Sequence, residues 1–215
     1  MIQLENDTFI NPFSTRFWTP GAIPYQFWEK GDVTENGIDI LIEQKIKYGS
    51  IMQIVGSHGS GKSTLLRTLS GRLERRHFEI CVAVLNDRRG GLLPDFLPIR
   101  RDRRIFYMID GFERLSFLGR SYLLFQNWSL TGGLLLTVHK PILGIRVLHR
   151  TTPRLELFIK LVRELTKTYS VTYSHSFEAT ELREIYDHSG GNFRTAFFEL
   201  YDRVQTFQAK RNYLF

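Results

Sequence analysis

Two rhythms of apolar and polar positions alternate along this chain. Ser50–Val55, Phe78–Leu85, Arg104–Ile109 and Gly133–Val138 are short apolar runs bounded by glycine, polar or charged residues. Runs of that length predict strands buried on both faces of a sheet. The other rhythm has helical spacing. Ile38, Leu41, Ile42 and Lys45 fall on one face of a short helix that Asn36 can cap. Lys62–Ser70 predicts a helix ended by Gly71, and Leu115–Trp128 predicts one packed on the sheet. Leu155, Leu157, Phe158, Leu161, Val162 and Leu165 give an amphipathic helix over Leu155–Thr166. Glu178–His188 and Asn192–Phe207 predict two more helices, joined by Ser189, Gly190 and Gly191. Ile145–His149 declares no type. Strands alternating with helices predict an α/β fold: a three-layer sheet with helices on both faces, followed by a small C-terminal helical lid. The expected division is a strap over residues 1–33, a core over 34–168 and the lid over 169–215.

The amino end follows neither rhythm. Pro12, Pro20 and Pro24 forbid a regular helix or central strand there, yet Phe13, Phe17, Trp18, Tyr25, Phe27 and Trp28 are too apolar for a disordered tail. An ordered strap lying on the core is the expectation. Asn86–Asp102 reads as a loop long enough to be functional.

Composition narrows the class little: 42% hydrophobic and 24% charged residues suit a globular protein. Cys81 lies within an apolar run and is expected to be a buried, inert thiol. No basic n-region precedes an apolar stretch, and no apolar run nears the roughly 18 residues of a membrane span. A soluble, cytoplasmic protein without membrane insertion is expected. The net charge of +7 gathers partly in Arg100, Arg101, Arg103 and Arg104, and in Arg72, Arg75, Arg76 and His77. Nucleic-acid contact is one reading of those clusters; a solvated loop beside a strand is the plainer one.

The chemistry enters at Gly56-Ser57-His58-Gly59-Ser60-Gly61-Lys62-Ser63-Thr64, between a predicted strand and a predicted helix. The pattern G-x-x-x-x-G-K-[ST] in that context predicts a phosphate-binding loop for a nucleoside triphosphate. Backbone N–H groups must converge on phosphate oxygens, which leaves no room for side chains where Gly56 and Gly61 turn the chain. The helix amino end adds unsatisfied donors and a favourable dipole. Lys62 is expected to reach the β and γ phosphates, and Ser63 to ligate Mg²⁺.

Asp110 closes the strand Arg104–Ile109 and is expected to serve Mg²⁺ directly or through water. Glu113, three residues on, is a candidate base for the attacking water; its plain alternative is a surface pair with Arg114 or Arg120. Thr137 and His139 end the fourth strand, where either can hydrogen-bond the attacking water or the γ-phosphate, unless the strand simply runs into a loop. His58 is expected to be a solvent-facing filler, and the six histidines show no zinc-ligand spacing.

These residues carry a resemblance. Gly56–Thr64, Asp110 with Glu113, and Thr137–His139 together resemble the compact additional-strand P-loop ATPases of the broad AAA+/STAND group. The segment His188-Ser189-Gly190-Gly191-Asn192-Phe193-Arg194 resembles the turn before that group's second sensor helix, which implies that Arg194 meets the γ-phosphate. Asn11-Pro12-Phe13 resembles the opening of members whose strap lies beside the adenine. The resemblance implies ATP with Mg²⁺ as ligands and a lid that closes over them. It also implies a protein partner or self-association supplying an arginine. Two departures stand out: no glutamate directly follows Asp110, and Arg114, Arg120 and Arg150 compete as arginine finger. Gly59–Leu66 and the histidine after the fourth strand suggest ABC-transporter ATPases too, but no signature segment lies between Arg72 and Arg104.

The function expected is a Mg²⁺-dependent ATPase acting as a nucleotide-gated regulator. A small-molecule kinase, with Arg88 and Arg89 or Arg100–Arg104 in its lid, is the enzyme alternative. A nucleotide-stabilised scaffold with negligible turnover is the other. No guanine-reading Asn/Thr-Lys-x-Asp segment is visible, which favours ATP over GTP.

Overall fold

The computed structural model describes residues 9–29, 32–34, 37–85, 99–126, 128–168 and 177–212. The predicted cap Asn36, most of the loop 86–102, Arg88, Arg89 and the segment 169–176 lie outside the described residues. By its contacts the chain divides into two units, one of residues 24–152 and one of residues 1–23 with 153–215.

The 24–152 unit is built on five parallel strands: β3 (Ile51–Gly56), β4 (Glu79–Val84), β5 (Ile105–Asp110), β6 (Gly133–Val138) and β7 (Arg146–Thr151). Their order is β4-β5-β6-β3-β7. An additional strand, β6, thus separates the strand before the phosphate loop from the strand ending in Asp110. A hairpin of β1 (Phe27–Glu29) and β2 (Asp32–Thr34) precedes the sheet. Alternation divides the core. Met52, Ile54, Phe106, Met108, Leu135 and Leu148 pack with α2 (Gly37–Lys45) and α3 (Lys62–Glu74). Ile105, Tyr107, Ile109, Leu134, Leu136 and Val138 pack with a 3₁₀ turn at Phe112–Arg114, α4 (Phe117–Leu124) and a second 3₁₀ turn at Trp128–Leu130.

Three expectations change here. Gly71 does not end its helix: Leu66, Leu69 and Leu73 keep the apolar face going, and the roughly 1 kcal/mol a helical glycine costs is outweighed. His77 ends it instead, in the left-handed region at φ +64, with Phe78 N–H donating to Leu73 O. The single helix expected over Leu115–Trp128 is broken into α4 and the second 3₁₀ turn, and α4 leaves Phe117, Leu118, Tyr122 and Phe125 exposed. Cys81 is only partly buried, because β4 is an edge strand; burial still raises its thiol pKa, which keeps it in the inert form.

Gln53 sits fully buried in β3. Its amide donates to Ile142 O (2.9 Å) and Ile145 O (2.7 Å) and accepts from Ile142 N–H (2.8 Å). It thereby pins the turn that carries the chain from β6 into β7, the segment whose type the sequence left open.

The other unit contains α1 (Thr15–Trp18), α5 (Leu155–Thr168), α6 (Ala179–His188) and α7 (Phe193–Asn212). Phe13 is fully buried against Phe158, Phe197 and their neighbours, and Asn11 donates to Tyr201 O at 3.0 Å. Residues 9–23 of the expected strap therefore pack with these helices, whereas Tyr25 and Phe27 pack in the sheet unit. The amphipathic stripe of α5 explains the pairing: Phe158, Val162 and Leu165 face this aromatic cluster. Among the described residues no helix is long and apolar enough to cross a membrane.

Candidate nucleotide site

All five strands run the same way, so β3, β5 and β6 end at one edge of the sheet, and the predicted residues of this unit gather there. β3 passes through Gly56 into the loop and on to α3. A Cβ on Gly56 would lie 2.1 Å from Thr151 Oγ1 and 2.6 Å from Ser60 Oγ, so the residue is glycine for want of space. Those two hydroxyls bond each other at 2.6 Å, and Ser60 also donates to Ser57 O at 2.8 Å. The end of β7 thus braces the loop. Gly61 turns it at φ +91 and lies against Tyr25, whose ring a Cβ there would approach to 3.1 Å. The Tyr25 N–H donates to Thr68 Oγ1 at 2.9 Å, and burial pushes the phenol pKa up to about 12.

Lys62 is only 8% exposed, and its ammonium donates to Gly56 O (2.9 Å) and Ser57 O (2.8 Å). The cation is thus turned back onto carbonyls of its own loop. Ser63 and Thr64 follow in the first turn of α3, both partly buried.

Asp110 is fixed by Thr137, whose hydroxyl donates to Oδ1 at 2.6 Å and accepts from Gly111 N–H at 2.8 Å. Gly111 is left-handed at φ +80 and starts the 3₁₀ turn. That turn carries Glu113 towards β6, where its Oε1 meets His139 Nδ1 at 2.8 Å. A carboxylate only accepts, so Nδ1 carries the proton. The second oxygen, Oε2, is buried and has no hydrogen-bond partner among the described residues. Burial holds the His139 pKa below its ordinary value; Glu113 pulls it up, and Lys62, His58 and Arg114 push it down. His58 is exposed, as expected, and its ring lies 3.7 Å from that of His139, centroid to centroid, tilted 39°.

The structure therefore brings together Lys62, Asp110, Glu113, Thr137, His139 and the loop. Arg120 donates to Leu115 O and Glu113 O, at 2.8 and 2.5 Å, so its guanidinium braces the turn instead of pairing with the Glu113 carboxylate. Arg150 is exposed on β7. Arg100–Arg104 precede β5 at the opposite edge of the sheet, about 20 Å away by strand length; Arg100 pairs with Glu79 and Arg104 with Asp102. Arg194 belongs to the helical unit, exposed in the first turn of α7. Asn192 caps that helix, accepting from Arg194 N–H at 3.1 Å and Thr195 N–H at 3.4 Å, and Gly190 and Gly191 make the turn with positive φ.

Sequence reasoning missed the Ser60–Thr151 brace, Tyr25 over Gly61, and the His58–His139 ring contact. Each joins positions more than 35 residues apart.

A cation fits this donor set. No group of three or more His, Cys, Asp or Glu among the described residues is arranged to hold one alone. One carboxylate, Asp110, and one hydroxyl, Ser63, suit a hard ion that keeps waters and leans on phosphate oxygens, as Mg²⁺ does.

A family model described as ABC transporter matches residues 41–88, under a quarter of the chain. No curated protein matches the chain. Solved structures similar to it include two variants of Thermotoga maritima RuvB, at 16% and 15% identity over 70% and 75% of this chain, each with a TM-score of 0.49. A DNA replication initiation factor is similar at 14% identity over 77% of this chain, with a TM-score of 0.42. The chain spans 53%, 56% and 61% of the length of those three chains. Likenesses this distant decide nothing about activity; the fold rests on the strand order and the loop themselves.

Proposed function

We propose that this chain, a P-loop NTPase with the additional strand between its two phosphate-site strands, binds ATP with Mg²⁺ and hydrolyses it as a nucleotide-gated switch. The observation that carries the reading is the orphaned Oε2 of Glu113. A buried acceptor without a donor costs about 1–3 kcal/mol, more when charged, and such a cost is tolerable where a water must be deprotonated. His139 holds the other carboxylate oxygen and so orients the base. Mg²⁺, held by Ser63, Asp110 and phosphate oxygens, would neutralise charge on the phosphoryl group. Lys62 exchanges two loop carbonyls for phosphate oxygens, a stronger charge-assisted pairing. Thr137 keeps Asp110 in place and is a positioning residue.

Arg194 is proposed to read the γ-phosphate. Its exposed guanidinium enters no ion pair among the described residues, although a cation in a first helical turn opposes the dipole. A protein partner, or a second copy supplying an arginine, completes the switch; the apolar face of α4, tied to the Glu113 turn through Arg120, supports such a partner.

The test is calorimetric titration of ATP with phosphate-release kinetics on wild type, Lys62→Ala and Glu113→Gln. Lys62→Ala should lose ATP affinity while staying folded, and Glu113→Gln should keep affinity and lose turnover. Unchanged ATP affinity in a folded Lys62→Ala protein would overturn the site, and unchanged turnover in Glu113→Gln would overturn the base.

A further inference from the structure

We infer that His58, from a position of the phosphate loop that the motif leaves free, is a positioning residue for the Glu113–His139 pair, so that the loop itself sets the orientation of the base. The inference rests on the hydrolytic reading of that pair and names what regulates it.

Three observations carry it. The His58 ring lies 3.7 Å from the His139 ring, tilted 39°, close enough to restrict its rotation about χ2. The edge of His139 is already held by Glu113 at 2.8 Å, so the two contacts together restrict its orientation. His58 itself stands on a braced loop: Ser60 ties back to Ser57 and across to Thr151, and Gly59 turns at φ +68. A filler side chain would need none of this.

The ring contact also connects the base to loop occupancy. Lys62 and Ser60 both donate to Ser57 O, the carbonyl adjoining His58. A phosphate that draws Lys62 away removes one of those two bonds, and the change is passed through His58 to His139. Among the described residues the charges around His139 are His58 on the loop, Lys62 on α3, and Glu113 and Arg114 on the 3₁₀ turn. Burial does most to hold His139 neutral, and Lys62 and then His58 push the same way. A cationic His139 would clamp Glu113 as an ion pair and weaken it as a base.

The test uses His58→Ala, which removes the ring, and His58→Phe, which keeps a ring without charge. ¹⁵N-resolved NMR titration of His139 and ATP turnover between pH 5 and 8.5 are measured on both and on wild type. For His58→Ala the expected results are an upward move of the His139 titration, an acid limb of kcat displaced to higher pH, and a kcat at neutral pH lowered roughly tenfold with KM little changed. His58→Phe should retain most of kcat while shifting the titration less. An unmoved His139 titration in His58→Ala overturns the inference. Absence of turnover in wild type, with the titration still moved, would instead overturn the hydrolytic reading and leave the positioning by His58 standing.

Discussion

Thr137→Val is the substitution whose consequence the structure fixes most closely. Valine keeps the shape of threonine, so no cavity opens at this fully buried position. What disappears is one hydroxyl that donates to Asp110 Oδ1 at 2.6 Å and accepts from Gly111 N–H at 2.8 Å. The N–H left without an acceptor costs about 1–3 kcal/mol. The lost bond to the carboxylate is charge-assisted and worth about 1.5–3 kcal/mol, part of which water recovers because Asp110 is only partly buried. The sum is about 2–4 kcal/mol, and a chain of this size loses about 2–4 °C per kcal/mol, so the midpoint should fall by about 5–15 °C. Thr137→Ser retains the hydroxyl and should recover most of that loss. Scanning calorimetry on the three proteins is the assay, with Mg²⁺-dependent ATP turnover alongside. A Thr137→Val protein melting within about 2 °C of wild type would refute the reasoning, since neither bond would then contribute at the scale assigned to it.

Asp110→Asn should impair Mg²⁺-dependent turnover far more than Mg²⁺-free nucleotide binding; equal rates across a Mg²⁺ titration would exclude its role. His149 is half-buried beside Tyr25 and Phe27, and that burial, with a smaller push from Lys45, lowers its pKa to about 4. Its folded value lies below the ordinary 6.5, so the unfolded chain binds the extra proton, and stability should be full above pH 6.5 and fall as pH drops towards 4, by roughly 2 kcal/mol after allowance for partial exposure. His149→Gln should flatten that slope in denaturant melts at stepped pH; an unchanged slope would remove His149 as its source. Arg194→Ala should abolish any protection against proteolysis between residues 168 and 177 that an ATP analogue gives the wild type, and identical digestion patterns would defeat the γ-phosphate role. Asn192→Ala should cost about 1 kcal/mol by removing the α7 cap, read as a lowered melting point.

The sequence by itself determined four of the five sheet strands, most of the helices and the phosphate loop. Gly133–Val138 was legible to the residue because a continuous apolar run between Gly133 and His139 admits one reading, a strand buried on both faces. The loop was legible because its chemistry is local: a strand, two glycines, a lysine and a hydroxyl must follow one another in fixed order. Boundaries set by competition were not. Gly71 as a helix end was a local inference, and packing along Leu66, Leu69 and Leu73 overrode it. Only the tertiary structure decided strand order, since parallel crossovers leave no trace in spacing, and so only it placed Thr137 beside Asp110 and His139 beside Glu113. It also decided that Arg100–Arg104 stand at the far edge of the sheet, and that the ring of His58, a residue with no sequence signal, meets that of His139. The physical reason is common to all of these. Local propensity and periodicity are carried by neighbours in the chain, whereas a site is made where distant strand ends are brought to one edge, and that convergence is a property of the folded sheet.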